Sequence, residues 1–165
     1  MRTSNPARKQ YGLKRLCEQV RALQGQGEKV VFTNGCFDLL HVGHVRYLAA
    51  ARAFGDCLVV GVNSDASVRG IKGNTRPIVA QKERVEVLSA LEAVDYLVLF
   101  NEQTPEKVIV ALRPDILVKG ADWPIEKIVG RDLVEGHGGR VMRVKTVPGA
   151  STTGLIERIV KRYHK

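Results

Sequence analysis

Five short, chiefly apolar runs, each divided from the next by a stretch of helical period, set the limits on what this chain can fold into. They are Lys29–Thr33 (KVVFT), Cys57–Asn63 (CLVVGVN), Tyr96–Phe100 (YLVLF), Ile116–Lys119 (ILVK) and Arg140–Val144 (RVMRV). A strand that is apolar on both sides must be covered on both, and strands joined through helices run parallel. The pattern therefore predicts an α/β protein: a Rossmann-like, doubly wound, five-stranded parallel sheet with helices on both faces, in a single domain. The order of the strands in space is not fixed by the pattern.

The intervening segments carry their own start and stop signals. Leu13 to Leu23 has apolar residues at 13, 16, 17, 20 and 23, one face of a helix, and Gly25 and Gly27 end it. Helices are expected over Val42–Phe54, Lys82–Leu91, Ile128–His137 and from Ser151 or Thr152 to about Lys161. Another is expected up to Leu112, with Thr104 as cap and Pro105 in the first helical position. Ser64 to Ala80 reads as a polar, Gly-containing loop. Residues 1–12 read as a flexible tail and 13–165 as the domain, with 13–24 its N-terminal helix.

A chain of 165 residues can bury one real core, and none of its apolar runs nears the ~20 residues needed to span a bilayer. No apolar signal core follows the basic N-terminus. The cysteines Cys17, Cys36 and Cys57 lack CxxC spacing, so neither a disulfide framework nor a zinc site is indicated, and a reducing cytoplasm is the expected location. The net charge of +9 is scattered, and aromatics make up only 5%. That argues against nucleic acid or a membrane as principal partner and leaves small polyanionic substrates.

The residues suited to phosphate chemistry cluster just past strand ends, where doubly wound sheets take ligands. Gly35-Cys-Phe-Asp-Leu-Leu-His-Val-Gly43 and then His44 follow the first strand, placing His41 and His44 on one side of a helix start with Gly43 between them. Lys72, flanked by Gly70 and Gly73, could swing over a triphosphate, with Arg69 as competitor. Lys119-Gly120-Ala121-Asp122 ends the fourth strand, where Gly120 permits close approach and Asp122 can accept from ribose hydroxyls. Ser151-Thr152-Thr153 offers hydroxyls and unpaired N–H groups at a helix tip. Asn63 and Asp65 either bind a sugar phosphate or a metal-bound water, or cap the strand end. Arg76 binds a second phosphate or lies on the surface, and Asp38 pins the loop before the histidines or touches ligand. Cys36 has no base partner and is not read as a nucleophile.

TNGCFDLLHVGH, with Ser64-Asp65, Lys72-Gly73, Arg76-Pro77, Glu83-Arg84, KGAD and Gly149-Ala-Ser-Thr-Thr153 following in order, resembles the HxGH nucleotidylyltransferase superfamily. FTNGCFDLLHVGHVRYL, GVNSDASVRGIKGNTRP, LEAVDYLVLFNEQTPEKVI and PDILVKGADW make it most similar, from Leu13 onward, to the adenylyltransferases of ADP-heptose synthesis. The resemblance implies transfer of AMP from ATP to D-glycero-β-D-manno-heptose 1-phosphate, giving ADP-heptose and pyrophosphate for lipopolysaccharide or other surface polysaccharide. It implies His41, His44 and Lys72 as catalytic residues. Nucleotide contacts would come from Thr33, Asn34, Gly35, Cys36, Phe37, Asp38, Gly43, Lys119, Gly120, Asp122, Ser151, Thr152 and Thr153. Asn63, Asp65 and Arg76 would hold the acceptor, Mg²⁺ would ride with the nucleotide, and Gly43 would let the nucleotide lie close to the backbone. It also implies a homodimer, with the Ala93–Phe100 neighbourhood as part of its contact, and a separate heptose 7-phosphate kinase upstream. The usual wording KGGD is KGAD here. Glycerol-3-phosphate cytidylyltransferases and FAD synthetases share the first and last motifs but generally lack KGNTRP and LVKGADW. A nucleic-acid-binding module is the alternative of another class, and the KMSKS-type loop of synthetases is absent.

Overall fold

The computed structural model describes residues 9–163. Five parallel strands, β1 (Val30–Gly35), β2 (Cys57–Asn63), β3 (Tyr96–Phe100), β4 (Ile116–Gly120) and β5 (Arg140–Val144), lie in the order β3-β2-β1-β4-β5. The chain moves outward from β1 through β2 to β3, then returns across the sheet to β4. This reversal makes β1 the switch point and opens a crevice above its C-terminal end. Register with the two neighbours is set by Val31 opposite Ile116 in β4 and by Val30 opposite Cys57 in β2.

Seven helices complete the described fold: α1 (Leu13–Gly25), α2 (Val42–Arg52), α3 (Asp65–Lys72), α4 (Gln81–Ser89), α5 (Glu106–Leu112), α6 (Arg131–Gly136) and α7 (Thr152–Tyr163). Alternate strand residues serve opposite faces. Val30, Phe32, Cys57, Val59 and Leu117 pack with Leu16 and Val20 of α1, Val108 and Ile109 of α5 and Val134 of α6. Val31, Leu58, Val60, Val62, Ile116 and Val118 pack with Leu48 and Ala51 of α2 and Val85 and Leu88 of α4. Two buried faces explain why the central strands lack a polar side, whereas β5, at the edge of the sheet, exposes Arg140 and Arg143.

Four expectations are corrected. The stretch after β2 is not all loop: Ser64 caps α3, its Oγ accepting from the Ser67 N–H at 3.2 Å, and Ser67 and Val68 are buried. Packing of that short face outweighs the cost of Gly70 in a helix. At α5 the cap is Pro105, not Thr104, and the helix begins at Glu106. The segment expected as a helix over Ile128–His137 is helical only from Arg131 to Gly136, after a 3₁₀ turn at Ile125–Lys127. Gly130, at φ 88° against Ile109, separates the two. Of the expected tail, residues 1–8 lie outside the described residues, but Lys9 to Gly12 is pinned. Gln10 bridges Leu97, the Tyr11 N–H donates to the Leu97 carbonyl at 2.9 Å, and Lys9 Nζ donates to the Leu91 carbonyl at 2.8 Å. The Tyr11 ring meets Tyr96 edge-on at 5.4 Å, and Arg15 lies over Tyr11 at 5.3 Å.

Candidate active site

The crevice above β1 is a cleft of about 610 Å³. One wall starts with the turn after β1. Phe37 holds a left-handed φ of 46°, a strained conformation for a bulky residue, and persists there because its ring is buried. That ring meets the His44 ring edge-on at 5.3 Å. Asp38, next in the chain, is a buried knot: its carboxylate accepts from the Ile78 and Val79 N–H groups and pairs with Arg76 Nε. Those backbone donors and the guanidinium, against the cost of burial, hold its carboxyl below the usual carboxylate range. The knot ties the turn before the histidines to the loop carrying Arg76.

His41 is the N-cap position of α2, and His44 lies in its first turn. Their rings stack, with centroids 3.9 Å apart and 21° between planes. Burial, with His41 as a lesser contributor, drives His44 down to about 4, and burial also lowers His41. Both rings are therefore neutral near pH 7. Each Nδ1 is buried without a partner. A bare acceptor is tolerated inside a protein more readily than an orphaned N–H. The pair is thus best satisfied with the proton on Nε2, the nitrogen left to donate to a ligand oxygen. Gly43 lines the cleft between them. A Cβ there would come within 2.9 Å of the His41 ring and 3.1 Å of the Ala150 Cβ, so its space is taken by the chain itself.

From β4, Lys119 Nζ donates to Asn34 Oδ1 at the end of β1, and burial lowers its ammonium to about 8. The Asp122 carboxylate folds over Gly120, where any Cβ would collide with it. Ser151 turns out to be the cap of α7, its Oγ accepting from Gly154 N–H at 3.0 Å, while Thr152 Oγ1 reaches the Leu39 carbonyl at 3.5 Å. Lys72, the last residue of α3, and Arg76 also line the cleft. Arg69, also on α3, is exposed and does not line the cleft. Lys72, Arg76, Lys119 and Lys127 face two carboxylates, Asp38 and Asp122, so the lining favours an anion.

The structure brings together His41, His44, Lys72, Asn34 to Asp38, Gly43, Asn63, Arg76, Lys119, Gly120, Asp122 and Ser151 to Thr153. Two expected residues lie elsewhere. Thr33 is wholly buried beneath the cleft, its hydroxyl shared between Tyr47 Oη at 2.8 Å and the Val118 carbonyl at 2.9 Å. Asp65 is turned away to pair with buried Arg84 at 2.8 Å. Arg84 also donates to the carbonyls of Cys36, Asn63 and Val79, so one guanidinium joins the ends of β1 and β2 to the Arg76 loop. Burial raises the Cys36 thiol, which is against a nucleophilic role. Among the described residues no three His, Cys, Asp or Glu side chains group to hold a metal ion.

Sequence reasoning missed lining residues that carry no charge pattern: Tyr47, Ile71, Gln103 to Pro105, Trp123, Val129 and the Thr146–Val147 pair. Only Trp123 had a signal, being the one tryptophan and directly following KGAD.

A family model described as cytidylyltransferase-like matches residues 32–158. The bifunctional protein HldE of Geobacter sulfurreducens is 56% identical over 144 residues, 87% of this chain and 29% of that protein. The HldE of Syntrophotalea carbinolica is 58% identical over 140 residues, 85% of this chain and 29% of that protein. The chain thus spans under a third of the length of these curated relatives. A solved lipopolysaccharide core biosynthesis protein from Thermoplasma volcanium superposes with a TM-score of 0.61 at 31% identity, covering 73% of this chain and 98% of that one. Pantoate-β-alanine ligase from Francisella tularensis shares the fold at TM-score 0.57 and 15% identity, over 93% of this chain and 77% of that one.

Proposed function

The chain belongs to the cytidylyltransferase-like family, and from that premise we propose that it is a nucleotidyltransferase moving AMP from ATP to D-glycero-β-D-manno-heptose 1-phosphate. The products are ADP-heptose and pyrophosphate, the former serving surface-polysaccharide synthesis. The observation that carries the proposal is the meeting, in one cleft, of a stacked histidine pair, three lysines and a hydroxyl-bearing helix tip. More than half identity to bifunctional HldE proteins across most of the chain supports the choice of nucleotide and acceptor.

The cleft has two ends. Gly120, Asp122 and the Ser151–Thr153 tip mark the nucleotide end, with Asp122 accepting from the ribose. Asn63 and Arg76, which line the same cleft, take the acceptor. A sugar phosphate is already an oxyanion, so the protein needs no deep general base; its work is alignment and charge stabilisation. One acceptor phosphate oxygen forms a bond to the α-phosphorus as the bond to the bridging oxygen of pyrophosphate breaks. His44 Nε2–H and the Lys72 ammonium stabilise charge on the α-phosphoryl oxygens. His41 and the α7 tip hold the departing pyrophosphate, and Lys119 fixes Asn34 beside them. Mg²⁺, the usual companion of ATP, would be bound by the phosphates. We place the reaction in the cytoplasm, carried out by a homodimer, downstream of a kinase that makes the sugar 1-phosphate.

The test is a panel of nucleoside triphosphates and phosphorylated acceptors scored for pyrophosphate release. ATP with heptose 1-phosphate should be preferred over CTP with glycerol 3-phosphate and over ATP with FMN. Wild-type turnover by His44→Ala would overturn the mechanism.

A further inference from the structure

Trp123, which the reaction just described leaves without a role, lines the cleft directly after Asp122 with its side chain in water: it is 52% exposed although it is the largest apolar group of the lining. Its backbone, by contrast, is tied down. The Trp123 N–H donates to the Gly120 carbonyl at 3.1 Å, and the Trp123 carbonyl accepts from Arg143 Nη1 at 3.3 Å. Ala121 N–H is bonded to the Val144 carbonyl at 2.8 Å, and Pro124 follows directly. A pinned frame holding a bare indole is a cost in the free protein that a flat ligand would offset. Val129, 36% exposed, lines the same region and extends the apolar surface. Of the other aromatic rings of the lining, Phe37 is buried against His44 and Tyr47 spends its hydroxyl on Thr33 and the Val118 carbonyl.

We propose that Trp123 is the platform on which the nucleobase of the triphosphate stacks, directly after Asp122, the carboxylate that faces the ribose. The proposal rests on the nucleotidyltransferase reading, and it assigns the base a face contact rather than a hydrogen-bond reader. Stacking on a π-face is tolerant of base identity. It follows that Trp123 sets nucleotide affinity, while discrimination between adenine and cytosine falls to other groups.

Because the sequence holds a single tryptophan, its emission has one source. The experiment titrates the whole chain with α,β-methylene-ATP, inorganic tripolyphosphate and heptose 1-phosphate in turn, following indole emission, with equilibrium dialysis as the independent measure of binding. The expected result is quenching by α,β-methylene-ATP alone, with tripolyphosphate competing for the site but leaving emission unchanged. In turnover, Trp123→Ala should raise KM for ATP by about tenfold to a hundredfold, the range for loss of one stacked base. Its kcat and its KM for the sugar phosphate should stay near wild type, and Trp123→Phe should recover most of the loss. The side chain is exposed, so circular dichroism melts of all three proteins should coincide. If α,β-methylene-ATP binds by dialysis yet leaves emission and the KM of Trp123→Ala unchanged, the stacking proposal is wrong and the transferase reading stands. Quenching by heptose 1-phosphate with a KM effect on that substrate alone also overturns it. If dialysis detects no nucleotide binding at all, the functional reading falls and takes the stacking proposal with it.

Discussion

Replacing Gly43 by alanine isolates the geometry of the histidine pair. A Cβ on residue 43 would lie 2.9 Å from Cε1 and from Nδ1 of His41 and 3.1 Å from the Ala150 Cβ. Favourable carbon contacts begin near ~3.5 Å, so the His41 ring must withdraw by roughly half an ångström or more. It cannot do so without disturbing the His44 ring stacked 3.9 Å away. A misplacement on the order of 1 Å can cost about a hundredfold in rate, which is about 2.7 kcal/mol of transition-state stabilisation. Stability should respond differently. Alanine in the first turn of α2 gains about 0.5–1 kcal/mol over glycine, against about 1–3 kcal/mol for crowding, a net loss of at most about 2.5 kcal/mol. The assay is kcat/KM by pyrophosphate release, paired with urea unfolding of the same preparation. A fall of about a hundredfold in a protein that remains folded is expected. Wild-type kcat/KM would show that the position of His41 does not govern the reaction.

Further outcomes follow from the same contacts. Lys72→Ala should lower kcat by about a hundredfold or more, in line with loss of a charge-stabilising donor, while Arg69→Ala, outside the cleft, leaves kcat unchanged in the same assay. Arg84→Met strips the donors from the Cys36, Asn63 and Val79 carbonyls and leaves Asp65 unpaired, so urea unfolding should register a loss of about 3–5 kcal/mol. Acid unfolding should come in two stages. His44 is held at about 4 in the folded chain against an ordinary 6.5, so the unfolded chain binds the extra proton between those values and stability falls as pH drops through that window. Asp38 and Asp115, held below 3.8 when folded, contribute stability that is present above that value and lost as pH falls through their folded values. Denaturation midpoints measured from pH 7 to 3 should show both stages, and His44→Gln should flatten the first.

The strands were legible because burial on both faces leaves a continuous apolar run, and no local signal competes with it. α3 was not, because DASVRGIK contains a glycine and only two of its residues, Ser67 and Val68, are buried. Its helicity comes from the Ser64 cap and from packing, which a helical period cannot show over eight residues. The cleft's charged and histidine residues could be listed from motifs, since phosphate chemistry needs those types at strand ends. Their partners could not. Thr33 belongs to a buried hydroxyl pair with Tyr47, and Asp65 to Arg84, contacts spanning 14 and 19 residues of sequence. Gly43 illustrates the same limit. Its smallness was evident, but whether ligand or protein fills the vacated space depends on the fold of His41 and Ala150 around it.

The lining-up of Gln10 and Tyr11 against Leu97 has a bearing on assembly. With Gln10 and Tyr11 bridged to Leu97, the middle of the outer border of β3 already has a partner from the same chain, which shortens the edge open to a strand of another copy. A ten-stranded sheet formed by two copies across that border would first have to give up the Tyr11 bond to Leu97 and the packing of Tyr11 on Tyr96.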